Sequence, residues 1–90
     1  MSLEWSEFIG QEIVLDLAST FVCVGRLIKL ERDFALLEEA DVHDLRDTTA
    51  TREQYVLDCR RHGITPNRRF AWVSLKEVVS LSRLADVVID

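Results

Sequence analysis

Residues 51–69 hold five arginines, Arg52, Arg60, Arg61, Arg68 and Arg69, against two acids, Glu53 and Asp58, a net charge of +3. Guanidinium groups pair with carboxylates or phosphates through planar, often bidentate hydrogen bonds. Arg60-Arg61-His62 with Asn67-Arg68-Arg69 could therefore hold a nucleic-acid backbone or an acidic patch on a neighbouring subunit. The plainer alternative is a solvated helix end, since isolated surface charges contribute little. A second candidate lies in the acidic piece Glu38, Glu39, Asp41, Asp44, Asp47, which Arg46 interrupts. Asp41, His43, Asp44 and Asp47 could ligate a divalent ion through oxygen and nitrogen. Nothing in a polar loop fixes their geometry, so a solvated loop and no metal are the expectation. Cys59 and His62, three apart, could meet on a helix, but a nucleophile also needs an orienting partner and an oxyanion site. A buried cysteine beside a helix-capping histidine is expected instead, and Cys23 reads as a small core residue.

The sequence shows no phosphate-binding glycine loop, nucleophile elbow or paired catalytic carboxylates. The expectation is a non-enzyme with no cofactor. Outside residues 51–69 the chain carries six bases and fourteen acids, a net −8. That balance opposes sequence-independent nucleic-acid binding, which draws on cations set against phosphates. It suits a subunit whose basic arm meets an acidic surface, one on its own copies included.

Ninety residues give one expected domain, residues 1–90, with a modest core. No apolar run approaches the roughly 20 residues of a membrane span, and Met1-Ser2-Leu3-Glu4 lacks the features of a signal peptide. Two cysteines, Cys23 and Cys59, have neither disulfide-scaffold number nor metal spacing, so a reducing, cytoplasmic setting is expected.

Apolar spacing predicts the elements. Leu3, Trp5, Phe8 and Ile9 recur at helical intervals before Gly10. Ile13, Leu15 and Leu17 alternate as a strand. Phe21 to Leu30 is a long β-rich run with Gly25 at its middle, where a bend or close backbone approach is expected. A third strand runs from Phe34 to about Val42. Thr51-Arg52-Glu53-Gln54 offers a capping box for a helix over 52–62, with Tyr55, Val56 and Cys59 on one face and Gly63 past its end. Cationic Arg60, Arg61 and His62 suit its carbonyl end, and Pro66 stops it. Two short strands, Phe70–Val73 and Val78–Leu81, flank a tight Leu75-Lys76-Glu77 connection. Apolar side chains on both faces of the first predict cover on both sides. A second copy of the chain is the economical cover.

This order, and the residues in it, resemble the Sm-like (LSm) family. Glu12-Ile13-Val14-Leu15-Asp16-Leu17 is similar to its opening strand, Val24-Gly25-Arg26-Leu27 to its glycine-bearing second strand, and Phe34-Ala35-Leu36-Leu37-Glu38-Glu39-Ala40 to its third. Val73 through Leu81 resembles the second Sm motif. The resemblance implies a mainly β chain: a five-stranded, bent antiparallel small barrel with a short N-terminal helix and an inserted helix near 52–62. It also implies a homo-oligomeric ring in which the fourth strand of one subunit adds to the fifth of the next, through Phe70, Ala71, Trp72, Val73 and Val78, Val79, Ser80, Leu81.

Two departures bear on RNA. Phe34 stands where uridine-binding members resemble one another in an asparagine, and Ser74-Leu75 replace their arginine–glycine pair. The exchange removes a base-edge amide and a planar cation. Phe34 could itself stack on a base, although a core phenylalanine is the expectation. A non-catalytic ring scaffold or binding module is the first reading. The alternative is an RNA-binding ring using Phe34, Arg60, Arg61, Arg68 and Arg69.

Overall fold

The computed structural model describes residues 4–89. Leu3, read above as part of the first helical turn, lies outside them. The remainder of that turn is a 3₁₀ helix, Trp5–Phe8, whose Phe8 is buried. Five strands follow the sequence periods: β1 Glu12–Leu17, β2 Phe21–Glu31, β3 Phe34–Asp44, β4 Arg68–Ser74 and β5 Val78–Arg83. Helix α1, Arg52–His62, lies between β3 and β4. The third strand runs past the expected end near Val42: β3 continues through Asp44, and a 3₁₀ turn occupies Leu45–Asp47. The connection at Leu75–Glu77 is another 3₁₀ turn, and a fourth covers Leu84–Asp86.

All pairings are antiparallel, in the order β4-β3-β2-β1-β5. Strands β2 and β3 are long enough to need a bend, and they bend together. Val24 pairs with Asp41 and Arg26 with Glu38, so Glu39 and Ala40 both stand opposite Gly25. This two-against-one bulge drives the extra residue, Glu39, to φ 46°. A side chain there costs on the order of 1–2 kcal/mol. Glu39→Gly is therefore expected to stabilise the protein by about 0.5–1 kcal/mol after the entropy of a freer unfolded chain is subtracted. A denaturant midpoint at or below that of the parent would show that the bulge is not strained.

The bent sheet buries side chains on both faces. On the inner face lie Ile13, Leu15, Cys23, Leu27, Ala35, Leu37 and Val73, with Phe8 against them. On the outer face Val14, Val22 and Val24 meet Val56 and Cys59 of α1, with Leu84. Strand alternation explains the division: odd residues of β1, and of β2 as far as Leu27, point in and even ones out, and the register shift past Leu27 then turns Leu30 in. Two-sided cover, expected of the Phe70–Val73 strand, is not found at β4 within the chain; it is found at β1 and β2, where the chain's own helix supplies it. In β4, Ala71 and Val73 turn toward the inner core while Phe70 and Trp72 turn out and stay exposed.

Helix α1 is local in origin. Thr51 Oγ1 accepts from the Gln54 amide at 3.1 Å, and Gly63, at φ 87°, donates its N–H to the Cys59 carbonyl at 2.9 Å. Eleven residues are too few to stay helical in water unaided, so packing holds the helix in place. Ile64 joins the same outer cluster as Cys59, as a glycine-ended helix favours. Arg52 bonds Asp16 Oδ1 and the Phe21 carbonyl at 3.3 Å and the Ser19 carbonyl at 3.0 Å, tying the helix start to the β1–β2 turn. Of the five clustered arginines, this one is structural.

Candidate functional site

Strand order leaves two open edges. Strand β4 pairs with β3 and β5 with β1, and no ladder joins β4 to β5 among the described residues. Each free edge carries a row of backbone donors and acceptors, which templates pairing with another strand. Exposed apolar side chains mark both: Phe70 is 55% exposed, Trp72 50% and Val79 68%. The eight residues expected at a subunit joint divide between the two faces, by alternation in β4 and, in β5, around a register shift that leaves Val79 without a partner between Val78 and Ser80. Ala71, Val73, Val78 and Leu81 turn inward onto the core, offering an interface only their backbone. Phe70, Trp72, Val79 and Ser80 face outward.

The expected nucleic-acid contacts separate. Phe34 is no core phenylalanine: it is 45% exposed, at the first residue of β3, directly across from Ser74. The two departures from the uridine-binding pattern, Phe34 and Ser74, are therefore one cross-strand pair. Phe34 shares a shallow pocket with Trp72, Glu31, Arg32 and Asp33. Lys29 and Lys76 sit within ion-pair distance of Glu31 and Asp33, and the Lys29 ammonium lies 5.6 Å from the Trp72 ring centre. Arg68 pairs with Ala40 at the opposite end of the β3–β4 ladder, six positions from Ser74, or about 20 Å along a strand. Arg60, Arg61, Arg68 and Arg69 are exposed, and none forms an ion pair among the described residues. Asn67 fixes where β4 begins, exchanging side-chain hydrogen bonds of 3.0 Å with the backbone of Val42.

The acidic loop resolves into two separate structures. Asp44 caps the Leu45–Asp47 turn, accepting from the Arg46 side chain at 2.7 Å, the Arg46 amide at 3.0 Å and Thr20 at 2.9 Å. These bonds, Arg46 first, hold its carboxyl well below the usual carboxylate range. Asp41 instead accepts a hydrogen bond from the Tyr55 hydroxyl on α1, and the His43 ring stacks on Tyr55 at 4.1 Å with planes 5° apart. No group of three or more His, Cys, Asp or Glu side chains is placed to hold a metal among the described residues.

Burial, with the bond to Asp41, drives the Tyr55 hydroxyl far above its ordinary range. Burial likewise raises the Cys59 thiol, and burial, with the Asp41 charge adding to it, pushes Cys23 up to about 11. Neither cysteine is poised as a thiolate at neutral pH. His62 is exposed, and no hydrogen bond links it to buried Cys59 among the described residues. The Asp41–Tyr55 bond, invisible to sequence periodicity, latches α1 to β3. Tyr55→Phe keeps the ring stack but strips a half-buried carboxylate of its donor, which is expected to cost about 1–3 kcal/mol in denaturant unfolding. An unchanged midpoint would show that water satisfies Asp41 equally well.

The backbone resembles a Pyrococcus abyssii Sm protein solved in complex with a uridine heptamer, with a TM-score of 0.58 and 14% identity over 87% of this chain and 89% of that one. It also resembles a chain of the NatC complex bound to CoA, with a TM-score of 0.54 and 17% identity over 90% of this chain and 84% of that one. No protein-family model and no curated protein matches the sequence. The bent five-stranded sheet ordered β4-β3-β2-β1-β5 is thus an Sm-like fold. No described helix is long and apolar enough to cross a membrane.

Proposed function

We propose that this chain is a non-catalytic Sm-like subunit that assembles with itself, β4 of one copy pairing with β5 of the next until a ring closes. The observation that carries this is the pair of open edges, each bearing exposed apolar side chains, in one small sheet. Edge pairing satisfies the free backbone groups and covers Phe70, Trp72 and Val79. Two different edges meeting make a head-to-tail contact, which closes into a ring when the rotation per copy divides a full turn. The ring then acts as a scaffold or binding module. Native mass spectrometry at tens of micromolar tests it: one integral multiple of the 10.4 kDa protomer is expected, and monomer throughout overturns it.

A second reading, that the ring binds RNA, draws on the exposed arginines Arg60, Arg61, Arg68 and Arg69, and on the uridine-bound Sm protein that shares the fold. Beside Phe34 the cations Lys29 and Lys76 are taken up by Glu31 and Asp33, whereas the arginines at the other end of β4 form no ion pair among the described residues, so that end is the place for a backbone. Short single-stranded RNA should then bind with an affinity that falls steeply with salt. Absence of binding at low salt excludes this reading.

A further inference from the structure

We infer that Phe70 and Trp72 of one copy enter a cleft on the outer surface of the next, beside its β5, so that α1 forms one wall of the joint. The inference rests on the ring reading and names the side chains that seal the ring.

An open cleft of about 410 Å³ has Ser80 and Ser82 of β5 with Val14 and Asp16 of β1 among its lining. Val56 and Leu57 of α1 bound it, and so does Val88 of the C-terminal segment, 79% exposed. Ser80 pairs with Asp16 and Ser82 with Val14, so both serines share the outer face that Val14 presents to α1. A strand added to β5 must keep its inward residues with the inner core. Ala71 and Val73 then continue the face of Leu15 and Leu81, and Phe70 and Trp72 emerge on the serine side.

Side chains directly opposite across an antiparallel pair stand about 5 Å apart, and diagonal ones about 7–8 Å apart, within reach of an aromatic ring. The row that β5 offers there is serine, whose small side chains leave room for rings to lie across them toward Leu57 and Val88. Charge fits the same arrangement. Glu53 lines the cleft with no ion pair among the described residues, whereas Asp16 there is already paired with Arg52, and Arg68 shares the outward parity of Phe70 and Trp72 on the entering strand. The acidic wall and basic strand of one chain are thereby complementary between copies. The fit to this chain's own β4, in apolar content, parity and charge, makes a second copy the occupant.

Two single variants and their double test this. Leu57→Lys alters the cleft rim and Trp72→Ala the entering ring, and neither position lies in the buried core. Each is expected to weaken assembly at least tenfold by sedimentation while the thermal transition of the dissociated protomer stays put. The double variant should weaken it by less than the product of the two, because one contact is lost only once. In a Trp5→Phe background, Trp72 emission should shift to the blue as concentration drives assembly. Wild-type assembly with no shift, and with Leu57→Lys assembling as the parent does, overturns this inference and leaves the ring standing. A monomeric wild type overturns both. Binding of an unrelated apolar strand in the cleft of the assembled protein would overturn the assignment of the occupant.

Discussion

Gly25→Val is expected to unfold the protein or leave it destabilised by about 3 kcal/mol or more. A Cβ at Gly25 would stand 3.0 Å from the Ala40 Cβ, 3.1 Å from the Ala40 Cα and 3.2 Å from the Glu38 carbonyl oxygen. Two of those three neighbours are backbone and cannot rotate away. They belong to the bulge that lets β2 and β3 bend, so relief requires opening the bend itself. Overpacking a filled interior costs typically 1–3 kcal/mol for added methylenes, and β-branched valine adds two further carbons to the clash. Against a total stability of about 5–15 kcal/mol for a domain of ordinary size, the loss is large. Gly25→Ala should fall between valine and parent. Adding Ala40→Gly should restore only part of the loss, since the Cα and carbonyl contacts remain. Denaturant unfolding of these three variants beside the parent measures the series, and a valine variant as stable as the parent would mean that the bend does not need the close approach.

That bend was legible because glycine in the middle of a long β-rich run has few other uses. Helix α1 was legible for a similar reason: Thr51, Gln54 and Gly63 specify its ends through bonds a few residues long. The partner of α1 was not. Val14, Val22 and Val24 declare by their period that the outer face of β1 and β2 needs cover, but periodicity reports the need and not what meets it. Phe70 and Trp72 made the same declaration for β4, and sequence could not tell which demand the short apolar face of α1 would meet. Register was the other hidden quantity. Asp41 reaches Tyr55 because the bulge at Glu39 resets which residues of β3 oppose β2, and a one-residue slip moves a side chain to the other face. Phe34 resembled core for want of the same information: Ala35 and Leu37 hold the inward positions, which turns Phe34 out.

Two variants, each blocked at one edge, are expected to be monomers apart and to form a dimer, and nothing larger, when mixed in equal amounts. Phe70→Glu with Trp72→Glu places charge on the outward side of β4 and leaves β5 intact. Val79→Glu with Ser80→Glu does the same to β5 and leaves β4 intact. All four positions are exposed in the protomer, so folding should survive, as the thermal transition of each variant will show. A head-to-tail joint uses one edge of each type. Either variant alone lacks half of every joint, and burying unpaired carboxylates there is expected to weaken association at least a hundredfold. In the mixture the intact β4 of one variant meets the intact β5 of the other, once. The remaining edges are both charged, so growth stops at two copies. A joint between like edges behaves differently: β5 on β5 would let the β4-blocked variant dimerise by itself, and β4 on β4 would do so for the other. Native mass spectrometry separates these outcomes by stoichiometry. Either blocked variant assembling to the wild-type size would remove the edges from the joint, and a mixture that stays monomeric would remove the β4–β5 pairing itself.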